Sequence, residues 1–309
     1  MTAKTQVNRT PLYIALAMAI VLVLGVLIGA KLVYSKAAHQ PIAMAALNTP
    51  DATSPECSAL IDALPRELLG HDRATIADPA PEGAAAWSSN STERVTLRCG
   101  VTLPLQYTSL STLTSAEGVD WLQVIDATPG STMQTWYSIG TFPTIAVTAD
   151  AASMKNRPSP VVGLASALGK LKEAEPKPNP IPLSGLDSPN SADQQCTALL
   201  QALPASPAEG YAHAQLDLPG TMAWTKQGHE PIIVRCGVKD PENYQAGARL
   251  NQVDDIPWFE DTKLANGTTA GTYFAMGRSV NVVMSMPSDA GNAAITAVTK
   301  AVSANTKAS

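Results

Sequence analysis

The sequence predicts an α+β protein: an N-terminal transmembrane helix followed by two repeated domains, each an antiparallel sheet with helices on one face and one disulfide. Three observations lead to this fold class. An uncharged apolar run lies near the N-terminus, the segment Arg-Cys-Gly-Val occurs at residues 98–101 and again at 235–238, and one cysteine precedes each occurrence, at Cys57 and Cys196.

The two copies align well beyond this segment. Residues 57–65 match residues 196–204 at an offset of 139, and Trp87 matches Trp224 at an offset of 137. A period this long indicates two globular domains of common descent and not a solenoid of short units. The chain length of 309 residues agrees with two domains.

Composition narrows the class of partner. The hydrophobic fraction is 45%, so each half has enough apolar residues for a core, and the net charge is −5. The basic residues are scattered along the chain. Nucleic acid and anionic lipid surfaces both require a positive face, and the sequence therefore argues against them as partners.

The apolar run is long enough to cross a membrane. Residues 10–30 carry no charge, and about twenty helical residues span about 30 Å, the thickness of the hydrocarbon core. We expect a cytoplasmic N-terminus over residues 1–10 and a membrane anchor over residues 11–33. A cleaved signal peptide, with cleavage near Ala38 or Ala45, is the alternative, but its apolar region is usually shorter, roughly 7–15 residues.

The orientation of this anchor follows from the cysteines. Lys4 and Arg9 on one side and Lys31 and Lys36 on the other give only a slight positive-inside bias. Four cysteines in two matching pairs are typical of disulfides, which persist outside the cytoplasm. The expectation is a single-pass protein of the cell membrane with both repeat domains extracytoplasmic.

Each domain opens on a helix that carries its first cysteine. After a tether over residues 34–54, Ser54 is the predicted N-cap and Pro55 the first helical residue. In the second copy, Ser191 and Gln194 are a candidate capping box. The apolar positions of the two helices recur at helical spacing and include the cysteines: Cys57, Leu60, Ile61 and Leu64, then Cys196, Leu199, Leu200 and Leu203.

The Arg-Cys-Gly-Val segments lie on predicted strands whose inward positions include Cys99 and Cys236. Four cysteines allow three pairings. Only Cys57–Cys99 with Cys196–Cys236 preserves the repeat and keeps each bridge inside one domain. Closing a loop of about 40 residues stabilises the fold by roughly 4 kcal/mol in the chain-entropy model.

The remaining elements complete two α+β domains. Strands are predicted near residues 121–125, 135–139 and 144–148, with matching strands near 272–276 and 279–284, and closing helices near 160–171 and 292–302. The predicted domains are residues 55–172 and 191–303. Between them residues 173–190 are rich in proline and predict a semi-rigid extended linker, and the tail after Val302 is expected to fray.

These residues resemble a known family. The helix Cys-x-x-Leu-x-x-x-Leu-Pro, an Ala-x-Trp segment at Trp87 and Trp224, and the Arg-Cys-Gly-Val element are similar to the actinobacterial family known as domain of unknown function 3515. The resemblance covers most of residues 55–171 and 193–302. It implies a membrane-anchored or secreted envelope protein and supplies no catalytic residues; a tandem copy departs from the single-domain pattern of the family.

The search for chemistry gives no catalytic residue and no metal set. The four histidines, His39, His71, His213 and His229, do not form a repeated pattern, and no nucleophile or phosphate-loop motif is present. No cofactor is expected. Acidic residues flank Trp258 (Asp254, Asp255, Glu260 and Asp261), for which a solvated edge is a better interpretation than a cation site.

Four residues remain as candidates for ligand binding: Arg98, Arg235, Trp87 and Trp224. The arginines lie on the strand face opposite the cysteines, where a planar guanidinium suits a carboxylate or phosphate. The alternative is structural. In that case each arginine stacks on a tryptophan or pairs with a local carboxylate, and the tryptophans belong to the core.

The absence of motif chemistry favours a non-catalytic binding or interaction module of the cell envelope. Its partners would be the membrane, through one helix, and a protein or a cell-wall component. The alternative is an extracytoplasmic small-ligand or lipid carrier, or an enzyme with an interdomain site. An apolar cavity or convergent titratable residues would favour this alternative.

Overall fold

The computed structural model describes residues 10–38, 40–264 and 268–309. Its first element is a long helix, α1 (Thr10–Ala38). The window Tyr13–Lys31 has a mean hydropathy of 2.7, and none of it is buried inside the protein. One helix among the described residues is therefore long and apolar enough to cross a membrane, as predicted. Lys4, Arg9 and His39 lie outside the described residues.

The first copy contains an eight-stranded antiparallel sheet in the order β1-β2-β3-β4-β9-β7-β6-β5 and a two-stranded sheet formed by β8 and β10. The strands are β1 (Glu67–Leu68), β2 (His71–Arg73), β3 (Ala84–Ser88), β4 (Arg94–Cys99), β5 (Leu113–Ala116), β6 (Val119–Ile125), β7 (Gln134–Ile139), β8 (Thr141–Phe142), β9 (Ile145–Ala149) and β10 (Lys172–Glu173).

The second copy repeats this plan in a seven-stranded antiparallel sheet, in the order β11-β12-β13-β17-β16-β15-β14. The strands are β11 (Ala212–Ala214), β12 (Thr221–Thr225), β13 (Ile232–Cys236), β14 (Leu250–Val253), β15 (Ile256–Glu260), β16 (Ala270–Ala275) and β17 (Val282–Pro287). Each occupies the place that β2, β3, β4, β5, β6, β7 and β9 hold in the first sheet. The two copies thus share their strand order as well as their sequence pattern.

The opening helices begin where a side chain caps them. In α2 (Pro55–Ala63) the Ser54 hydroxyl accepts a hydrogen bond from the Cys57 amide at 3.2 Å, as predicted. In α4 (Gln194–Ala202) the Asp193 carboxylate accepts from the Gln195 amide at 2.8 Å. The predicted capping box of Ser191 and Gln194 is wrong, because the helix begins at Gln194 and Asp193 occupies the N-cap.

Both predicted disulfides are present. Cys57 is bonded to Cys99 with 5.6 Å between their Cα atoms, and Cys196 to Cys236 with 5.4 Å. All four residues are fully buried. Each bridge joins the opening helix of a copy to the central strand of the same copy.

Alternation along the strands of the second sheet distributes side chains between two apolar clusters. Val282 and Met284 pack with the disulfide and with α5 (Gly291–Asn305), whereas Val283 packs with Phe259 and Phe274 in a separate cluster. Successive side chains of a strand point to opposite faces. The second cluster therefore lies on the sheet face opposite the disulfide.

The closing helices differ between the copies. The predicted helix near residues 160–171 is wrong in extent, because the only helical residues there form the single turn α3 (Ala165–Leu168). Gly163, at a φ of +93°, precedes this turn and Gly169 follows it, and the left-handed backbone at Gly163 is incompatible with a continuous helix. In the second copy α5 is long and carries six buried residues.

The C-terminal tail is bound, in contrast to the predicted fraying. The Ser309 amide donates to the Gly277 carbonyl at 3.1 Å, and the Ser279 amide donates to the Lys307 carbonyl at 2.9 Å. Arg278 adds a hydrogen bond to the Thr306 hydroxyl at 2.9 Å. These contacts fasten the chain end to the turn between β16 and β17.

The tether is also docked on the first copy. Ile42 is buried and forms a parallel bridge with Ile76, in which the Ile42 amide donates to the Thr75 carbonyl at 2.8 Å. The Ala77 amide donates back to the Ile42 carbonyl at 2.9 Å. The backbone of the tether pairs with the domain although its side chains show no periodic pattern.

The linker was predicted to be extended, but it turns at residues 182–186 and is bound by both copies. The Asn179 amide donates to the Tyr107 carbonyl of the first copy at 2.8 Å. Leu183 and Leu186 pack on the second apolar cluster of the second copy. A linker that was expected to behave as a semi-rigid spacer is thus part of the packed structure of both copies.

Candidate functional site

The repeated arginines bind the chain segment that precedes their own domain. Nη1 of Arg235 donates to the Leu183 carbonyl at 2.6 Å and to the Leu186 carbonyl at 2.8 Å. Nη2 of Arg98 donates to the Ala45 carbonyl in the tether. Burial lowers the pKa of both guanidinium groups, although arginine remains charged at any physiological pH. Both arginines therefore bind backbone carbonyls. They do not stack on the tryptophan or pair with the carboxylate that the structural alternative predicted.

The glycines of the repeated segment make room for the same neighbouring chain. Gly100 and Gly237 have φ values of +81° and +78°. A Cβ on Gly237 would lie 2.3 Å from the Asn190 backbone carbon, and one on Gly100 would lie 2.3 Å from the Ala52 amide nitrogen. Glycine is required in both copies because backbone approaches backbone here.

The two candidate tryptophans belong to the core. Trp87 and Trp224 are fully buried. Their indole N–H groups donate to the carbonyls of Pro65 at 3.0 Å and Pro204 at 3.1 Å, at the ends of the opening helices. The cation that stacks on Trp87 is Arg73, 4.9 Å from the ring centroid. Neither ring is accessible to a ligand, and we assign both a structural role.

The four sequence-based candidates therefore do not converge on one site. Arg98 and Arg235 organise the preceding segments, while Trp87 and Trp224 anchor the helix ends. All four stabilise the repeated framework. A candidate site must be sought in residues that are not repeated.

The two copies meet at a surface that we call the junction. The Ile125 amide of the first copy donates to the Gly228 carbonyl of the second at 2.8 Å, and the Gln227 side chain donates to the Thr114 hydroxyl at 2.8 Å. A Cβ on Gly228 would lie 2.7 Å from Cδ1 of Ile125. Glycine at this turn lets the copies approach this closely.

A cavity of about 160 Å³ lies in the junction and is lined by both copies. The first copy contributes residues 122–127 to the lining. The second contributes four titratable side chains: Lys226, His229, Glu230 and Asp289. Nδ1 of His229 pairs with the Asp289 carboxylate. Glu230 is buried, and its Oε1 accepts from the Thr269 amide at 3.0 Å and hydroxyl at 2.7 Å.

Tyr211 lies next to these titratable side chains, and its hydroxyl stays protonated. Burial raises the pKa of its hydroxyl, and the negative charges of Asp289 and Glu230 raise it further. The hydroxyl donates to the Glu230 carbonyl at 3.1 Å. The Tyr211 ring lies 6.4 Å from the His229 ring, centroid to centroid, and 5.7 Å from Nζ of Lys226. Tyr211 therefore acts as a fixed hydrogen-bond donor that positions the loop.

The junction offers polar recognition and one acid–base pair. His229 paired with Asp289 can accept or donate a proton at its second ring nitrogen. Across residues 10–38, 40–264 and 268–309, no cluster of three or more His, Cys, Asp or Glu side chains is placed to hold a metal ion. This geometry suits binding of a polar group, and an assisted proton transfer is the most it provides chemically.

The acidic residues around Trp258 are engaged in protein contacts. Asp261 is buried, and its carboxylate accepts from the Asn243 amide at 3.1 Å and from the Lys263 backbone amide at 3.0 Å. Asp255 accepts from the Ser303 hydroxyl at 2.6 Å. The expected solvated edge is therefore partly a structural network.

Among the histidines, His71 is structural. It is fully buried, and its ring nitrogens lie 2.6 Å from the Ser89 hydroxyl and 2.7 Å from the Ser153 carbonyl. His213 lies on β11. The residues at the junction cavity were missed by sequence reasoning, because their meeting depends on contact between the copies.

Comparison with family models accounts for the repeated framework. Residues 16–177 and residues 160–309 each match the model of the family described as Protein of unknown function (DUF3515). The chain belongs to this family. Both disulfides and both Arg-Cys-Gly-Val segments fall within the matches, so this DUF3515 chain carries two copies of the family domain, as the resemblance implied.

The two DUF3515 matches overlap over residues 160–177. This stretch contains α3 and β10 of the first copy. The family model thus also includes chain that precedes the helix of the second copy, in agreement with the docked segments. Comparison with curated proteins and with solved structures gives no match.

Proposed function

We propose that this chain is a membrane-anchored extracytoplasmic module of the cell envelope that binds a protein or cell-wall partner without catalysis. The apolar helix α1 supports the anchor. Two buried disulfides support a location outside the cytoplasm, where such bonds persist. We also infer that the helices of each copy cover one sheet face, the face that carries the disulfide.

The observation that carries the binding function is the junction. It is built from both copies, and its His229–Asp289 pair is not repeated, since the matching residues of the first copy are Thr92 and Ala152. His229 and Asp289 are partly exposed there, so a partner can reach them. Surfaces used for recognition need such accessible, fixed polar groups around a depression.

A crosslinking experiment tests this proposal. A photoreactive residue at Thr112, on the rim of the junction, is compared in native membranes with one at Lys300, on the exposed side of α5. We expect crosslinks to a defined partner from Thr112 that are reduced by His229→Ala. The same products from both positions would contradict a partner at the junction.

A second experiment tests the topology. Protease added to intact cells stripped of their wall should digest both repeat domains and leave a fragment that contains residues 13–31. Protection of the domains until the membrane is permeabilised would place them in the cytoplasm and overturn the proposed location.

One observation favours an enzyme with an interdomain site as the second candidate. The His229–Asp289 pair faces the junction cavity, and such a pair can activate a water molecule as a general base. A panel of ester and amide substrates tests it. Hydrolysis that is lost in His229→Gln and retained after substitution of the exposed His213 would replace binding by catalysis as the function.

A further inference from the structure

A second cavity, of about 390 Å³, lies between the linker and the second sheet and shares no described lining residue with the junction cavity. Small-molecule sites in proteins commonly occupy roughly 300–1,000 Å³. At about 30 Å³ per water molecule, the cavity holds about 13 water-sized units. The linker lines one side with residues 179–186, and the sheet lines the other with Ala270, Thr272 and Ser285.

The lining of this cavity is mostly apolar and carries no charged side chain. None of its lining residues in the described part of the chain is Asp, Glu, Lys, Arg or His. The apolar members are Leu105, Pro180, Ile181, Pro182, Leu183, Leu186, Leu264 and Ala270. Leu105 and Leu264 are 47% and 38% exposed, which places the entrance beside them. An ion would lose its hydration without compensation here, so the lining selects a neutral molecule.

Four polar side chains interrupt the apolar part of the described lining. Asn179 and Ser184 of the linker donate to backbone carbonyls, and the other two are hydroxyl groups of the sheet. Thr272 and Ser285 are cross-strand partners on β16 and β17, and they are only 6% and 2% exposed. Strand alternation puts Thr272 on the same sheet face as Phe274, and Ser285 on the same face as Val283, away from the disulfide. Neither hydroxyl makes a hydrogen bond to any described residue, although both line the cavity.

In the first copy the two equivalent hydroxyl groups form a hydrogen bond with each other. Thr135 and Thr148 occupy the equivalent register on β7 and β9, and their hydroxyl oxygens are 2.9 Å apart in a hydrogen bond. Buried polar groups are nearly always hydrogen-bonded. In the second copy both hydroxyl oxygens open onto the cavity and bond to no group of the described residues, so they are available to a molecule that enters it, water or a ligand.

We propose that this cavity binds an uncharged amphiphile, an alkyl chain of about ten carbons with a hydroxyl, ester or amide group that bonds Thr272 and Ser285. The alkyl chain lies against the leucines and prolines of the linker, and the polar group faces the sheet. This site shares no described lining residue with the junction cavity, so its variants test it separately from the partner proposed there. The class includes free fatty alcohols and acylglycerols.

Photolabelling of the full chain in phosphatidylcholine nanodiscs tests the site. The probes are 1-decanol and monodecanoylglycerol with a diazirine on the alkyl chain, and decanoate with the same group as the charged control. We expect saturable labelling of residues 180–186 or of the strand around Thr272, with decanoate labelling more weakly. Labelling by only one of the two neutral probes identifies the source as a free alcohol or a glyceride.

Variants separate the site from general partition into lipid. Loss of both hydroxyls in Thr272→Val/Ser285→Ala should lower the labelling by about tenfold, while Thr135→Val/Thr148→Val in the first copy should leave it unchanged. Thermal melts check that each variant folds, and Ala270→Phe, which fills the cavity, gives a second route to loss. Labelling confined to residues 13–31, no labelling by either neutral probe, or equal loss in both double variants would overturn the proposal.

Discussion

Arg235 binds the Leu183 carbonyl at 2.6 Å across 52 residues of sequence, and the same nitrogen reaches the Leu186 carbonyl at 2.8 Å. The arginine is almost fully buried. It therefore provides the two linker carbonyls with partners in a place that excludes water. This one side chain thus connects the linker to the sheet behind it.

Substitution of this arginine should loosen the linker. Arg235→Met removes two charge-assisted hydrogen bonds and leaves two carbonyls unpaired, and we expect a loss of about 2–4 kcal/mol in the free energy of unfolding. Arg98→Met is the matched control in the first copy, where one carbonyl is bound; its expected cost is about 1–2 kcal/mol. Urea unfolding of both variants measures the difference, and equal costs would refute the stronger role of Arg235.

Gly237 should not tolerate a side chain. In Gly237→Ala the new Cβ would collide with the Asn190 backbone at 2.3 Å, and the φ of +78° adds strain, so we expect a cost of at least about 2 kcal/mol. Gly247 is the control, because its φ is +89° and a Cβ added there would have no atom within 4 Å. Gly247→Ala should cost about 1 kcal/mol. Similar thermal melts for the two variants would exclude the backbone contact as the reason for the glycine.

The disulfides should resist reduction in the folded protein. All four cysteines are fully buried, so a reductant reaches them only after local or global unfolding. Replacing Cys196 and Cys236 by alanine should destabilise the second copy by about 4 kcal/mol, the loop-closure value for 40 residues. Thiol counting with dithiothreitol, without and with urea, makes the comparison. Rapid reduction in the absence of urea would contradict the buried geometry.

The second copy should be more stable as an isolated fragment when its preceding segment is included. A fragment of residues 180–309 retains Leu183 and Leu186, which cover Phe259 and Phe274. A fragment of residues 190–309 exposes this cluster, and the half-buried Leu183 and Leu186 together contribute about 2–3 kcal/mol. We expect the longer fragment to melt cooperatively at the higher temperature. If neither melts cooperatively while the full chain does, the two copies share a core through the junction.

The anchor should remain attached in the mature protein. The helix α1 continues past the apolar window that ends at Lys31 without interruption to Ala38. Mass analysis of the protein extracted from membranes should therefore find residues 13–31 present. A mature N-terminus near Ala38 or Ala45 would identify the helix as a signal sequence.

Sequence patterns predicted the features that depend on side-chain periodicity and on the repeat. The pairing of Cys57 with Cys99, the start of α2 after Ser54 and the antiparallel sheets are of this kind. Helical and strand periodicity place each of these cysteines on an inward face, so burial follows from spacing. Matching copies then removed the ambiguity of cysteine pairing.

The missed features depend on backbone contacts or on differences between the copies. The carbonyls that Arg235 binds carry no side-chain signal, so a linker that docks through them resembles a spacer. Gly163 shortened the closing helix of the first copy to α3. The cavity beside Thr272 and Ser285 could not be predicted from the repeat, because the hydroxyls of the equivalent pair, Thr135 and Thr148, bond to each other. Both candidate sites therefore lie at positions where the two copies differ.

The docked tether limits the distance between the first copy and the membrane. From Lys31 to Ala38 the helix rises about 10 Å, and the four residue steps from Ala38 to the fixed Ile42 extend about 14 Å at most. In the proposed anchored form, Ile42 of the first copy therefore lies within about 25 Å of the hydrocarbon edge. A partner embedded in the same membrane, or lying on its surface, is then directly accessible to the first copy.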